Sequence, residues 1–462
     1  MQNRIFSYVK LHRIPILLVI ASLLFYFVFA YKLPRTDFIK LLCLFIALFM
    51  LCFKLIQFEK WNYKFLLIVG ILFRLVFIST EPNLSQDYYR FIWDGELVSN
   101  FINPYLAVPN TLIKQQDLVV ANAKELYNGM GDLSARHFSN YPPMNQFLFA
   151  IAAFFGGKSI IGTTIVMRII IILADIGIFY FGRKLLRNLN QSPHLIFWYF
   201  LNPLVIIELT GNLHFEGVML YFFVWSIYLL SVKKWLLAGI PYAFAILIKL
   251  VPLMFLPLFF KYLGIKKSIL FYLTVGIVTV LFLLPFYSPD FINNYSQTVG
   301  LWFSNFEFNA GLYNFIEKIA IYFDHKPWEF IKSYGKVTPY ITIAIVLLFS
   351  IFKVDQQLKN LLLAMLWVLT IYYFTSTTVH PWYIIFLLPL SAFSDFRFPI
   401  IWSASVVLSY YAYAQIDFKE NLWILAIEYI SVFGYMGYEI IKLNKQKPFF
   451  RKNTTSNVVN SI

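Results

Sequence analysis

Charged side chains crowd a twelve-residue stretch of the sequence that runs from Ser85 to Glu96. The stretch contains Asp87, Arg90 and Asp94 and lies between long apolar runs. An ionisable side chain at the edge of a bilayer-spanning protein is costly unless it has a partner or a function, so these residues are functional candidates. A carboxylate here could deprotonate a hydroxyl group as a general base, and a nearby cation could stabilise charge on a phosphate.

Five further polar side chains stand between apolar runs elsewhere in the chain. His214 and Glu216 share one gap, with ordinary polar turn residues as the alternative, and Lys249 and His380 lie in separate gaps. Tyr141 instead ends the polar section of the long hydrophilic stretch that begins with Asp87. Together with Arg90 and Asp94, these five are the candidate substrate-binding residues, and Asp87 is the candidate catalytic base.

A purely structural role is the alternative for the remaining candidates. Asp87 could cap the helix that carries Arg90 and Asp94, and those two residues, four apart, could simply pair along that helix. Lys249 could extend its amine from a helix end toward water, and the role of His380 could be limited to a hydrogen bond with a backbone carbonyl. The spacing alone leaves these alternatives open.

The composition requires a membrane protein around these residues. Of the 462 residues, 60% are hydrophobic and 13% are charged, whereas soluble domains carry about 25% charged residues. The net charge of +15 does not indicate nucleic-acid binding, because no basic helix or base-stacking module is present. We expect an all-α bundle of about 12–14 spans in a single domain, residues 1–445, followed by a polar cytoplasmic tail, 446–462. The predicted spans are 14–31, 40–57, 64–80, 160–182, 194–210, 217–231, 235–248, 250–262, 268–286, 338–353, 360–378, 382–394, 399–415 and 420–441.

Lysines and arginines in the short gaps predict the orientation, because cytoplasmic loops are enriched in them. With the N-terminus inside, the one exception is the gap at 32–40, whose Lys32, Arg35 and Lys40 fall outside. Two long loops, 81–159 and 287–337, then lie outside and form an outer-loop subdomain. Within the first, the apolar stretch 144–155 is too short to span and fits a helix at the membrane interface. The candidate site residues then converge on the outer face.

Several motifs resemble a known family. The segments PNLSQDYYRFIWDG (82–95), INPY (102–105) and YPP (141–143) resemble the bacterial multi-spanning mannosyltransferases of the C-type glycosyltransferase superfamily (GT-C). More distantly, they are similar to the eukaryotic GPI mannosyltransferase that adds the first mannose. The resemblance runs from about residue 64 to about residue 395. Other matching blocks are NP (202–203), GNLHFE (211–216), Lys249 with Pro252 and Pro257, FNAGLY (308–313) and HPWY (380–383).

The resemblance implies a polyprenyl-phosphate sugar donor, often of mannose, used on the outer face with inversion. It implies that Asp87, the acidic residue of the first outer loop, is the base. Relatives often have two consecutive aspartates there, whereas this chain has Gln86 before Asp87. The chain therefore offers no acidic pair for a metal, and we expect no cofactor. Lys249 and Arg90 are the expected phosphate contacts.

The sequence thus predicts a hexosyltransferase, expected to be a mannosyltransferase, in the bacterial inner membrane with an extracytoplasmic active site. Its expected partners are a lipid-linked sugar donor, a glycan, glycolipid or protein acceptor, and membrane lipids. One alternative is a polysaccharide polymerase, a ligase or a lipid-modifying sugar transferase with a larger diphosphate-linked donor. The other is a transporter or a flippase for lipid-linked sugars, which should place its charges near the bilayer midplane and often shows repeated halves.

Overall fold

In the computed structural model of the chain, residues 8, 10–304, 306–415 and 417–446 are described. The predicted tail, 446–462, lies outside this part of the chain except for residue 446. Over the described residues every regular element is helical, and the only bridge between extended segments joins Phe308 and Thr378. The all-α class is therefore confirmed.

Most of the helices are long α-helices or short apolar ones. The α-helices are Arg13–Lys32, Phe38–Glu59, Tyr63–Leu75, Asp87–Ser99, Pro109–Leu112, Ala123–Ala135, Pro143–Gly156, Ile160–Asn188, Phe197–Phe200, Pro203–Val205, Glu216–Ser231, Trp235–Ile248, Leu256–Leu263, Ile265–Leu283, Pro289–Ser304, Gly311–Tyr322, Pro327–Phe352, Leu358–Thr375, Leu387–Ala392, Phe398–Ser405 and Leu422–Gln446. A π-helical turn covers Ile206–Gly211, and 3₁₀ segments cover Pro193–Ile196, Val251–Phe255, Leu284–Phe286, Pro381–Phe386 and Val406–Ala414.

Within the described residues, seven helices are long and apolar enough to cross a membrane, or eight if a pair bent by 49° is one span. Six shorter apolar helical stretches accompany them. The chain is thus a polytopic integral membrane protein, with fewer full-length spans than the 12–14 expected. Prolines explain part of the difference, because Pro252 and Pro381 lie in the first turns of the 3₁₀ segments Val251–Phe255 and Pro381–Phe386, where two pairs of short predicted spans meet. The seven are Arg13–Lys32, Phe38–Glu59, Ile160–Asn188, Ile265–Phe286, Pro327–Phe352, Leu358–Thr375 and Leu422–Lys445.

Buried ionic side chains join the Ile160–Asn188 helix to the elements around it. The Arg74 Nε lies 2.8 Å from an oxygen of Asp175, and neither side chain is exposed. Arg168 instead donates to the backbone oxygens of Ile78, at 3.1 Å, and Thr210, at 2.9 Å. Arg168 and Asp175, seven residues apart on the same helix, thus join it to separate partners.

The first long loop, 81–159, is mostly helical. Its Asp87–Ser99 helix packs against Pro143–Gly156, which in turn packs against Ile160–Asn188. The contact is close, because a Cβ on Gly95 would lie 2.4 Å from the Phe149 carbonyl oxygen. The Pro143–Gly156 helix has 14 residues, hence about 21 Å of length, and is too short to cross about 30 Å of hydrocarbon.

Candidate active site

A cavity of about 220 Å³ opens where the first long loop meets the ends of several short helices. Five of the eight candidate residues line it, namely Asp87, Tyr141, His214, Lys249 and His380. Residues more than 290 positions apart in the chain therefore share one site. The rest of the wall is largely aromatic and includes Phe91, Phe149, Phe215, Trp382 and Tyr383.

Asp87 is the first residue of its helix, and the helix is capped at Gln86 with no side-chain capping bond. The capping alternative for Asp87 therefore does not apply. Burial raises the pKa of the Asp87 carboxyl, the Lys249 ammonium lowers it, and the Glu216 carboxylate raises it further. Within the described chain, no lysine or arginine forms a direct ion pair with Asp87. A carboxylate with a raised pKa that faces a cavity suits a general base near neutral pH.

Lys249 reaches the cavity from the break between two helical segments. It follows the Trp235–Ile248 helix in extended conformation, and the next segment starts at Val251, with Pro252 in its first turn. The Lys249 Nζ lies 2.9 Å from Glu216 Oε1, and the Lys249 side chain keeps 25% of its surface exposed. Glu216 is buried, and its other carboxylate oxygen has no hydrogen-bond partner among the described residues. Glu216 thus holds Lys249 in place rather than lining the cavity.

The rings of His214, Trp382 and His380 stack along the cavity wall. The Trp382 ring centroid lies 3.7 Å from that of His214 and 4.3 Å from that of His380, with interplanar angles of 17° and 6°. Burial lowers the pKa of His214 well below its usual value, and burial with the Lys249 charge lowers the pKa of His380 to about 3. Both imidazoles are therefore neutral at physiological pH.

Each of these imidazoles keeps one buried nitrogen without a hydrogen bond in the described structure. The atoms are Nε2 of His214 and Nδ1 of His380. A buried polar atom without a partner costs free energy unless a ligand or water supplies one. His380 therefore does not use Nδ1 to satisfy a backbone carbonyl, and both residues that carry these nitrogens line the cavity.

The FNAGLY block positions His380 from a distance. The Val379 backbone N–H donates to the Phe308 carbonyl oxygen at 2.8 Å. The side-chain amide of Asn309 donates to the Val379 carbonyl at 3.3 Å and to the buried Glu428 carboxylate at 3.1 Å. The residue before His380 is therefore anchored on both sides.

The INPY block positions Tyr141 in the same way. The buried Tyr105 hydroxyl donates to the Tyr141 carbonyl oxygen at 2.5 Å. Asn103 donates to the Phe286 carbonyl at 2.9 Å, and Asn294 donates to that of Tyr105 at 2.9 Å. These bonds join the two long loops beside the cavity.

Arg90 and Asp94 are not among the residues that line the cavity. The Arg90 Nε lies 2.7 Å from Asp94 Oδ1, and both side chains are buried. Arg90 also donates to the Ser134 carbonyl at 2.7 Å, while Ser139 and Gln146 donate to the second Asp94 oxygen at 2.6 and 3.2 Å. The structure therefore has Arg90 and Asp94 paired with each other along their helix, the structural alternative for these two residues. The expected phosphate contact of Arg90 finds no support in this geometry, because the pair ties the Asp87 helix to the rest of the loop.

Glu208 is a buried carboxylate next to the site that was not among the candidates. It sits on the π-helical turn Ile206–Gly211 and accepts from Tyr410, at 2.5 Å, and Asn212, at 3.2 Å. The His214 Nε2 lies 3.7 Å from it. π-Helical turns are frequent at functional sites. The feature of the sequence that could have identified Glu208 is that it is a single acidic residue inside an apolar run.

Arg35 is the second residue that the candidate set missed. Its guanidinium carbon lies 3.4 Å from the centroid of the Tyr413 ring. Its charge opposes the rise in the pKa of Asp87 that burial causes and adds to the fall in the pKa of His380 that burial causes. The feature of the sequence that could have identified Arg35 is its position in the gap at 32–40, the one gap whose positive charges fall on the outer side.

The described residues contain no group of three or more His, Cys, Asp or Glu side chains arranged to hold a metal ion.

In comparisons with known proteins, a family model described as Alpha-(1->6)-mannopyranosyltransferase, N-terminal domain, matches residues 29–263, just over half of the chain. The match includes Asp87, His214 and Lys249 and ends before His380. None of the curated proteins matches the chain.

Proposed function

The chain belongs to the alpha-(1->6)-mannopyranosyltransferase family, and from this premise we propose that it transfers mannose from a polyprenyl-phosphate donor to the 6-hydroxyl of a mannose-containing glycan. The enzyme is a membrane glycosyltransferase, so a sugar donor and a glycan acceptor are its substrates. The donor lipid, the inversion and an active site on the extracytoplasmic face of the bacterial inner membrane are parts of the proposal. The proposal gives Asp87 the role of base.

The reaction is a single displacement at the anomeric carbon. Asp87 accepts the proton of the acceptor hydroxyl, and the hydroxyl oxygen forms a bond to the anomeric carbon. The bond between that carbon and the phosphate oxygen breaks, and its electron pair leaves with polyprenyl phosphate. The proton passes from Asp87 to water. Because one displacement inverts configuration, an alpha product requires a beta-linked donor.

Lys249 has the role of stabilising the departing phosphate. The donor phosphodiester carries one negative charge, and the monoester that leaves carries up to two, so a nearby cation binds the transition state more strongly than the ground state. Glu216 holds the ammonium at 2.9 Å, which spares the lysine from ordering its long side chain at the moment of reaction.

The neutral imidazoles and aromatic rings have the role of orienting the sugar. A sugar offers hydroxyl groups that donate and accept, which matches the unpartnered nitrogens of His214 and His380. The cavity volume of about 220 Å³ is below the roughly 300–1,000 Å³ of pockets for drug-sized ligands. It suits the reacting sugar rather than a whole oligosaccharide.

The observation that carries the proposal is the meeting of Asp87 and Lys249 in one cavity. A base and a phosphate-binding cation on the same small cavity are the two groups that this transfer needs. Arg90 and Asp94 take a positioning role in the proposal, because they tie the helix of the base to the loop that carries Tyr141.

The test is transfer of radiolabelled mannose from polyprenyl-phosphate mannose to a mannoside, followed by linkage analysis of the product. Wild type should form an alpha-(1->6) linkage, and Asp87→Asn should lose about 10²–10⁴-fold in kcat, the usual contribution of a general base. Asp132→Asn is the matched control, because this aspartate lies in the same loop with 90% of its side chain exposed.

Three outcomes would overturn parts of the proposal. Retained turnover in Asp87→Asn would remove the base assignment. Absence of transfer by wild type from the monophosphate donor, with transfer from a polyprenyl-diphosphate sugar, would replace the donor. A retained anomeric configuration would exclude the single displacement.

A further inference from the structure

The turn between the first two membrane helices is attached to the loop that carries the base. Asn83, four residues before Asp87, donates its side-chain amide to the backbone oxygens of Phe29, at 2.9 Å, and Leu33, at 3.1 Å. Leu33 is buried. Arg35 is two residues further on, so the same hydrogen bonds that hold the loop hold the backbone next to this arginine.

The far end of the turn is also fixed. Asp37 caps the Phe38–Glu59 helix by accepting from the Lys40 backbone N–H at 3.1 Å. The Lys40 ammonium donates back to the Lys32 carbonyl at 2.7 Å. Arg35 therefore projects from a short segment that is anchored on both sides, rather than from a free loop.

Aromatic contacts join the Arg35 guanidinium to the cavity wall. The guanidinium lies over the Tyr413 ring at 3.4 Å. The Tyr413 ring packs against Phe308 at 5.6 Å, and Phe308 packs against His380 at 5.1 Å. His380 lines the cavity. Stacking on this ring, together with a hydrogen bond to the Tyr413 side chain, holds the guanidinium in one orientation.

The Arg35 charge is uncompensated, in contrast to the other cations near the site. Arg74 pairs with Asp175, Arg90 with Asp94, and Lys249 with Glu216. In the described part of the chain no carboxylate lies within ion-pair distance of Arg35, and its buried Nε has no hydrogen-bond partner. A planar guanidinium binds phosphate well, since its fork matches two oxygens at once, and the Nε–H of Arg35 is free to take part.

We propose that Arg35 is the second phosphate-binding cation of this site and contacts the phosphate of the lipid-linked donor together with Lys249. The inference rests on the proposed function and names a further residue of the same site. Because Glu216 already neutralises Lys249, Arg35 supplies the net positive charge that the departing monoester requires. The role that the sequence assigned to Arg90 belongs to Arg35.

The test compares Arg35→Gln, Arg35→Lys and Lys32→Ala in the full-length protein in detergent. Binding of polyprenyl phosphate, the product, is measured by titration, together with kcat and KM for the donor. Arg35→Gln should weaken product binding about tenfold or more and lower kcat by more than it raises KM, because the charge on phosphate grows in the transition state. Arg35→Lys should restore part of both. Lys32→Ala, an exposed cation on the same turn, should match wild type.

The outcomes separate this inference from the function on which it rests. Product binding and kcat equal to wild type in Arg35→Gln, while wild type binds polyprenyl phosphate and transfers mannose, would overturn the role of Arg35 alone. Wild type that neither binds polyprenyl phosphate nor uses its mannosyl form would overturn the donor assignment and this role with it. A loss in Arg35→Gln that Arg35→Lys does not relieve at all would show that charge is not the cause.

Discussion

Alanine at position 94 would leave the Arg90 guanidinium buried without its counterion. The arginine side chain is only 4% exposed, and the Asp94 side chain is fully buried. Breaking a buried pair by removing one partner typically costs about 3–5 kcal/mol, because the remaining charge has lost its compensation. Ser139 and Gln146 would also lose the oxygen to which they donate. We therefore expect Asp94→Ala to lower the free energy of unfolding by about 3–5 kcal/mol.

The double variant Arg90→Ala/Asp94→Ala distinguishes a structural ion pair from a pair of substrate contacts. Once Asp94 is gone, removing Arg90 as well takes away an uncompensated charge, so the two losses should not add. We expect the double variant to be more stable than the sum of the single variants predicts by about 1.5–3 kcal/mol, within the range for residues in direct contact. Equilibrium unfolding in mixed detergent measures each free energy, and the donor KM is measured on the same samples.

The chain contains a matched control pair in the same loop. Arg136 and Asp132 are also four residues apart, with nitrogen and oxygen 3.7 Å apart, but their side chains are 62% and 90% exposed. Exposed pairs of this kind contribute at most about 0.5 kcal/mol. The structural role would be refuted if the losses of stability in the Arg90 and Asp94 variants added to within about 0.5 kcal/mol. It would also be refuted if Arg90→Ala had normal stability and a raised donor KM, which would instead support a contact between Arg90 and the donor phosphate.

Three further predictions follow from the site and its packing. The value of kcat/KM should fall as the pH is lowered through a midpoint above the usual pKa of aspartate, because burial raises the pKa of Asp87 and only the deprotonated carboxylate can accept a proton. Glu216→Gln should move that midpoint to lower pH, because the Glu216 charge raises this pKa; an unchanged pH profile would exclude the coupling. His380→Gln should raise the donor KM and leave every limb of the pH profile between pH 5 and pH 9 in place, since burial lowers the pKa of His380 to about 3. Loss of a limb in that range would show that the imidazole titrates there. Gly95→Ala should lower the free energy of unfolding by about 1–3 kcal/mol, because its Cβ would meet a neighbouring backbone oxygen at 2.4 Å; Gly434→Ala, where nothing lies within 4 Å, is the control.

The convergence of the site could be predicted because the chain is so apolar. Polar residues in the short gaps of such a sequence stand out individually, and the orientation rule places several gaps on one membrane face. Asp87, Lys249 and His380 were found in this way and do share a cavity. The helical class follows from the same composition, since a spanning chain must satisfy its backbone within helices or closed barrels.

The role of Arg90 could not be predicted, because its decisive partners are distant in sequence. A spacing of four between Arg90 and Asp94 allows both an internal pair and two separate ligand contacts. The bonds that decide for the pair come from Ser134 and Ser139, more than 40 residues away. Arg35 was missed for a related reason. Its charge was counted as an exception to an orientation rule, and its distance from Asp87 in the sequence hid the effect of its charge on that carboxyl.

The position of the proposed base depends on the membrane bundle rather than on its own loop. The Leu84 N–H donates to the Asn212 side chain at 3.1 Å, and Asn212 donates to Glu208 at 3.2 Å. Asn83 bonds instead to the end of the first membrane helix. The two residues just before Ser85 thus bond to two different parts of the bundle, one of which is the π-helical turn beside His214. A shift of either part of the bundle would change the position of Asp87 relative to the other residues of the cavity. Weakening these bonds should therefore lower kcat even where the cavity residues themselves are unchanged, since a small misplacement of a reacting group is costly in rate.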